Sequence, residues 1–189
     1  EFFRPQVSHM SLGMIREGLP DRSITRDIEW GVPVPSHVEG YEHKRIYVWF
    51  EAVIGYLSAS IEWAKNSGDQ DAWKAWWHDP DARSFYFVGK DNTPFHAIFW
   101  PAMIMAGAGD QTLNLPYDVP ANEFLNYEGG AFSKSRNWGI NARDALDRYD
   151  SDALRYYMSA TMPETSDSDF TWRSFLARNN DELVATLGN

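Results

Sequence analysis

The sequence predicts an α/β fold, a parallel sheet with flanking helices followed by an α-helical segment, on three observations. Short apolar-rich runs alternate with helical patterns, the signature of strands joined through helices. The run 45–50 leads directly into a helical pattern, and the run 84–88 reaches one through Gly89-Lys90-Asp91. From Asp150 onward the pattern is helical.

Taken in order, residues 1–40 are irregular and rich in Pro and Gly, as expected of a connection to sequence lying upstream. Arg45 to Phe50 reads as a buried strand running into a helix from about Ala52 to Lys65, which Gly68 stops. Asp71 to His78 reads as a short helix carrying three Trp. Ser84 to Val88 is a second strand. Behind Gly89-Lys90-Asp91, Thr93 is placed as the N-cap and Pro94 as the first residue of a helix reaching about Ala106. Asn122 to Leu125 suits a third strand, ahead of a Gly129-Gly130 loop. Asp152 to Ala160 forms one helix, and Thr171 caps another from Trp172 to about Leu187. The expected partition is 1–40 as the connection, 41–148 as the sheet domain with the loop 129–136, and 149–189 as the helical part.

Composition narrows the function. With 189 residues, 43% apolar types and nine Trp, the chain has the material for a large core. Its net charge of −10 argues against a broad face for nucleic acid or anionic membrane, so a polyanion must meet a local basic patch. No cysteine is present, which rules out thiolate zinc sites and cysteine nucleophiles within these residues and fits a reducing cytoplasm. The longest apolar stretch, Phe95 to Ala108, contains His96 and Pro101 and is too short for a bilayer span. The N-terminus lacks the order of a signal peptide, and both ends are expected to be internal to a longer protein. No Walker A run, Gly-x-Ser-x-Gly elbow or His-Glu-x-x-His appears, and His37 with His43 lacks a third metal ligand nearby.

Three places carry chemistry. Trp49, Ala52, Val53 and Tyr56 fall at i, i+3, i+4 and i+7, so a helix presents all four on one face. That stripe suits a core as well as a pocket. Two amphipathic aromatics beside a small Ala and a Val would form an apolar slot with polar handles, suited to a thioether. Asp91 stands just beyond a strand's carboxyl end, where open α/β sheets bind ligands, and a carboxylate there accepts from both hydroxyls of a ribose. Its plainer alternative is to cap the following helix. Gly89 lets the backbone approach a base or sugar closely. His96 can face the same crevice as Tyr56 or be a satisfied core residue. Finally, Gly129-Gly-Ala-Phe-Ser-Lys-Ser-Arg136 frees the backbone ahead of hydroxyls, an ammonium and a guanidinium, a composition fit for closing over a triphosphate and equally found in solvated loops.

The Phe132-Ser-Lys-Ser135 core resembles the KMSKS signature of class I aminoacyl-tRNA synthetases. Together with Tyr47-Val-Trp-Phe-Glu-Ala-Val-Ile-Gly-Tyr56, the run from Phe87 to Ala102, and Asp152-Ala-Leu-Arg-Tyr-Tyr157, it occurs in the order found in methionyl-tRNA synthetases. The resemblance covers most of residues 23–189 and implies the second half of a Rossmann-like catalytic sheet, then a stem-contact region and the first helix of the anticodon-binding domain. It implies that Trp49, Ala52, Val53, Tyr56 and His96 line a methionine pocket, and that Gly89 and Asp91 hold the ATP ribose. Leu125 would lie near the adenine, Ser133, Lys134 and Ser135 would meet the phosphates, and Arg26 would pair with Asp91. The implied partners are L-methionine, ATP with its Mg2+, and tRNA(Met) for the parent enzyme. The catalytic candidate is Lys134, whose ammonium would stabilise charge building on the departing pyrophosphate.

Departures from the family pattern are specific. The His-x-Gly-His-like element is not in these residues, Ala131 stands where the loop's first lysine belongs, Glu51 and Val53 vary the pocket helix, and the family's cysteine-based zinc knuckle has no ligands here. This piece alone is therefore expected to be inactive. A synthetase for isoleucine, leucine or valine would have no reason to combine Trp49, Tyr56 and His96 with Ala52. A non-catalytic nucleotide-binding or scaffolding module is the alternative that Ala131 motivates.

Overall fold

The computed structural model describes residues 3–109 and 112–188. The chain divides into two compact units, Glu1–Ala121 and Asn122–Asn189, a boundary inside the span expected to form one sheet domain. Each unit closes its own apolar cluster, which is the physical reason for the division.

The first unit begins with a helix where irregular chain was expected. Helix α1 (Pro5–Glu17) starts with Pro at its first turn, where a missing N–H costs nothing, and ends at Gly18 with φ 87°. It places Val7 in the core. Strands β1 (Thr25–Arg26) and β2 (Arg45–Ile46) pair antiparallel, Thr25 with Ile46 and Arg26 with Arg45. The predicted strand 45–50 thus shrinks to two residues, because helix α2 (Val48–Ala52) already begins at Val48. A turn at Val53-Ile54 leads into α3 (Gly55–Ser67), which Gly68 stops in the left-handed region as expected. Helix α4 (Lys74–Trp77) lies within the predicted short Trp-rich helix.

Parallel pairing follows. Phe85 bridges Asp118 in parallel, the Tyr86 N–H donates to Asp118 O at 3.0 Å, and the Val88 N–H donates to Pro120 O at 3.3 Å. Of the predicted strand, only Val88 continues into a regular element, β3 (Val88–Gly89). A 3-10 turn (Lys90–Asn92), a π-helical segment (Phe95–Phe99) and α5 (Trp100–Gly107) come next. The helical path therefore opens at Lys90. Thr93, with φ −51° and ψ −48°, is inside it and is not the N-cap. Val7, Val53, Trp77, Tyr86, Trp100, Ile104 and Val119 form the core.

After β4 (Ala121–Asn122), the second unit pairs β5 (Leu125–Tyr127) in parallel with β6 (Ser168–Phe170), Asn126 opposite Asp169. The predicted strand 122–125 is split, because the Glu123 N–H turns to Pro163 O and the Phe124 N–H to the Asp167 carboxylate. Helix α6 (Ala142–Leu146) precedes α7 (Ser151–Ala160), whose N-cap is Asp150. Thr171 caps α8 (Trp172–Arg178) as predicted, its hydroxyl accepting the Ser174 N–H at 3.1 Å, and a π-helical turn (Asn179–Leu187) follows. Tyr157, Phe170 and Phe175 make this unit's core. Among the described residues no helix is long and apolar enough to cross a membrane.

Candidate functional site

In the first unit, α2, α3 and the π-helical segment gather the aromatic residues. The stripe of four divides: Val53 is buried in the core, whereas Trp49, Ala52 and Tyr56 remain exposed. Trp49 lies against Phe95, ring centroids 5.5 Å apart. The Tyr56 hydroxyl is 2.8 Å from His96 Nε2, and His96 Nδ1 is 3.0 Å from Asn92 O. A carbonyl only accepts, so the ring proton is on Nδ1 and Nε2 accepts from Tyr56. With both nitrogens engaged, His96 orients Tyr56 and is not a free base.

Tyr86 completes the group. It packs edge-on to Tyr56 with centroids 5.0 Å apart, sits 5.7 Å from the His96 ring, and accepts a 3.1 Å hydrogen bond from Trp100 Nε1. Burial pushes its hydroxyl above the ordinary 10.0, partly opposed by the Trp100 donor. Tyr56 also lines a cleft of about 390 Å³ with Ser60, Trp76, Trp77 and Phe87.

Asp91 occupies the 3-10 turn, exposed, with one carboxylate oxygen accepting from Asn92 Nδ2 at 3.3 Å. Gly89 matters here by close approach. A Cβ at position 89 would lie 3.0 Å from Asp91 Oδ1, so a side chain there would displace the carboxylate. The structure does not bring Arg26 to Asp91. The Arg26 guanidinium lies 4.0 Å over the Tyr47 ring and donates to Ser23 O and Thr25 O, both at 2.8 Å. It lines a separate cleft of about 630 Å³ with Tyr47, Phe50, Phe95 and Phe99.

In the second unit, Leu125 is half-buried on β5 and lines a cavity of about 590 Å³ with Phe132, Ile140, Leu154 and Phe170. Ser133 and Trp138 exchange backbone hydrogen bonds of 2.8 and 2.9 Å, closing a tip of Lys134 to Asn137. Lys134 and Ser135 are exposed, and Ser133 Oγ is 3.2 Å from Ser135 Oγ. The tip thus offers an ammonium and paired hydroxyls to solvent, which suits an anionic ligand. Among the described residues no group of His, Asp and Glu is placed to hold a metal ion.

Sequence reading missed Asn92, Phe95 and Tyr86. Asn92 precedes His96 by four residues, one helical turn, which puts its carbonyl within reach of the imidazole. Tyr86 carries no such signal, because its role depends on the packing of a distant strand.

The family model for tRNA synthetases class I (M) matches residues 2–189. The chain belongs to that family. Among class I synthetases, the methionine–tRNA ligase of Thermomicrobium roseum is 58% identical over 187 residues, covering 99% of this chain and 31% of the relative. That of Dehalococcoides mccartyi is 59% identical over 188 residues, covering 100% of this chain and 33% of the relative. The Mycobacterium tuberculosis methionyl-tRNA synthetase solved with methionyl-adenylate superposes with a TM-score of 0.78 at 26% identity, covering all of this chain and 34% of that one. The class I synthetase fold is therefore shared, and the chain spans about a third of the length of the curated relatives it matches.

Proposed function

We propose that this chain is part of a methionine–tRNA ligase that activates methionine with ATP to methionyl-adenylate and transfers it to tRNA(Met) in the cytoplasm. The observation that carries the reading is identity of 58% over nearly the whole chain to a methionine–tRNA ligase, a span that includes the exposed Trp49 and the hydrogen-bonded Tyr56–His96 pair of this chain. In this reading Trp49, Ala52, Val53, Tyr56 and His96 form the side-chain slot, and a thioether against ring edges gains roughly 0.3–1.5 kcal/mol. Gly89 and Asp91 take the ribose, and Leu125 lies by the adenine. Ser133, Lys134 and Ser135 attend the phosphates, with Mg2+ carried mainly by the phosphates themselves. The methionine carboxylate attacks the α-phosphorus as the bond to pyrophosphate breaks, and Lys134 offsets the charge that develops.

The test is ATP–pyrophosphate exchange. A protein carrying this segment together with an upstream catalytic half should exchange in a methionine-dependent way, and the 189 residues alone should not. Exchange dependent on another amino acid, or none from the longer protein, overturns the reading. The second of these outcomes favours a non-catalytic nucleotide-binding module, to which Ala131 already points.

A further inference from the structure

The geometry points to Asp169 as a positioning residue for the lysine loop, an inference that rests on reading Lys134 as the phosphate-binding group. Tyr127 and Gly130 exchange both backbone hydrogen bonds, at 2.7 and 3.0 Å, so Glu128 and Gly129 are the central pair of a tight turn. Both have positive φ, 48° and 78°, as a type I′ turn requires. In that turn the second central N–H has no partner of its own. Here it donates to both oxygens of the Asp169 carboxylate, at 3.1 and 2.9 Å.

Asp169 reaches this position because β6 lies in parallel register with β5, Asp169 opposite Asn126. The rest of the turn is tied to the same segment. The Glu128 N–H donates to Phe170 O at 2.9 Å, and the Glu128 carboxylate accepts the Trp172 N–H at 2.8 Å. Trp138 Nε1 donates to Tyr127 O at 3.0 Å, which fixes the far arm of the loop to the same root. The loop therefore has an anchored base and an exposed tip, and of the two central N–H groups that the turn itself leaves unpaired, Phe170 O takes that of Glu128 and the Asp169 carboxylate holds that of Gly129. A charged acceptor makes that hold stronger than a neutral one. Removing it frees a left-handed turn to relax, and Lys134 loses its preset approach while every substrate-facing group remains.

The test uses a longer protein that carries this segment together with an upstream catalytic half, called the parent, and reads kcat, KM and loop cleavage. Asp169→Ala should lower kcat for methionine-dependent exchange by about tenfold or more, with the methionine KM within about twofold of the parent. In a Lys134→Ala background the same change should cost less than about twofold, since a residue acting through Lys134 has nothing left to position. Trypsin should cut after Lys134 and Arg136 several times faster in Asp169→Ala than in the parent. Asp169→Asn, which keeps one neutral acceptor, should fall between and serves if Asp169→Ala does not fold. A parental kcat in either variant, an undiminished loss in the Lys134→Ala background, or unchanged cleavage overturns the inference. If the parent itself shows no exchange, the ligase reading fails, and the cleavage arm alone decides whether Asp169 holds the loop.

Discussion

The Tyr56 hydroxyl donates to His96 Nε2 at 2.8 Å while His96 Nδ1–H donates to Asn92 O at 3.0 Å, so one imidazole ties α3 to the start of the π-helical segment. His96 is only 5% exposed, whereas Tyr56 is 43% exposed. Deleting the hydroxyl leaves a buried acceptor without its donor. Such losses cost about 1–3 kcal/mol, and the low end applies here because solvent can approach from the Tyr56 side. Tyr56→Phe should therefore lower the urea unfolding free energy by about 1 kcal/mol with m unchanged. An unaltered midpoint would show that the pair adds nothing to stability.

Val53 tests the divided stripe. At 3% exposed it packs in the core, while Trp49 and Ala52 on the preceding turn are open to solvent. Trimming it removes two buried methyls, and at 0.5–1.5 kcal/mol for each, Val53→Ala should destabilise by about 1–3 kcal/mol. Ala52→Ser, at an exposed position, should change stability by less than about 0.5 kcal/mol. Chemical denaturation of both variants checks the contrast, and equal effects would contradict the assignment of Val53 to the core.

Much of this was legible in the chain. Gly68 and Thr171 end and begin helices where their chemistry says they must, since a left-handed terminus needs Gly and an orphan N–H needs an oxygen acceptor. Helix α1 was legible too, because Pro5 at its first turn and Gly18 beyond its end are standard boundary residues. Pro and Gly density elsewhere in the first 40 residues masked it. Two things were beyond local reading. The π-helical segment at Phe95–Phe99 leaves no periodic signature in five residues. The link from Asp169 to Gly129 spans forty residues and depends on strand register. Arg26 shows the same limit from the other side: its guanidinium has an aromatic face and two carbonyls close by in sequence, and it takes those.

Lys134 is exposed at the loop tip, and Ala131 offers no second ammonium in the loop. In the longer protein, Lys134→Ala should lower kcat for methionine activation by roughly 10- to 150-fold, the equivalent of a charge-assisted contact of about 1.5–3 kcal/mol. The methionine KM should stay within about threefold, because a contact made chiefly in the transition state leaves ground-state binding intact. Single-turnover adenylate formation measures the step directly. A rise in KM with normal kcat would assign Lys134 to binding instead.

The end of the second unit carries a pH response. The Tyr156 hydroxyl donates to Glu182 Oε2 at 2.6 Å, and Arg178 Nη1 donates to both Glu182 oxygens at 3.0 and 3.2 Å. The Tyr156 hydrogen bond first, and the Arg178 charge after it, hold the Glu182 carboxyl below its ordinary 4.5. The same bond raises Tyr156 above its ordinary 10.0. For Glu182 the folded value is the lower one, so its stabilisation is present above 4.5 and lost as pH falls through the folded value. For Tyr156 the folded value is the higher one, so its stabilisation is present below 10.0 and lost as pH rises through the folded value. Urea midpoints of parent and Glu182→Gln, compared between about pH 7 and about pH 3, should converge on the acid side as the parent's advantage disappears. Tyr156→Phe should remove most of the same slope, since it deletes the principal cause and leaves Arg178 in place. A difference between parent and Glu182→Gln that stays constant across that range would show that the carboxyl titrates alike in folded and unfolded chains.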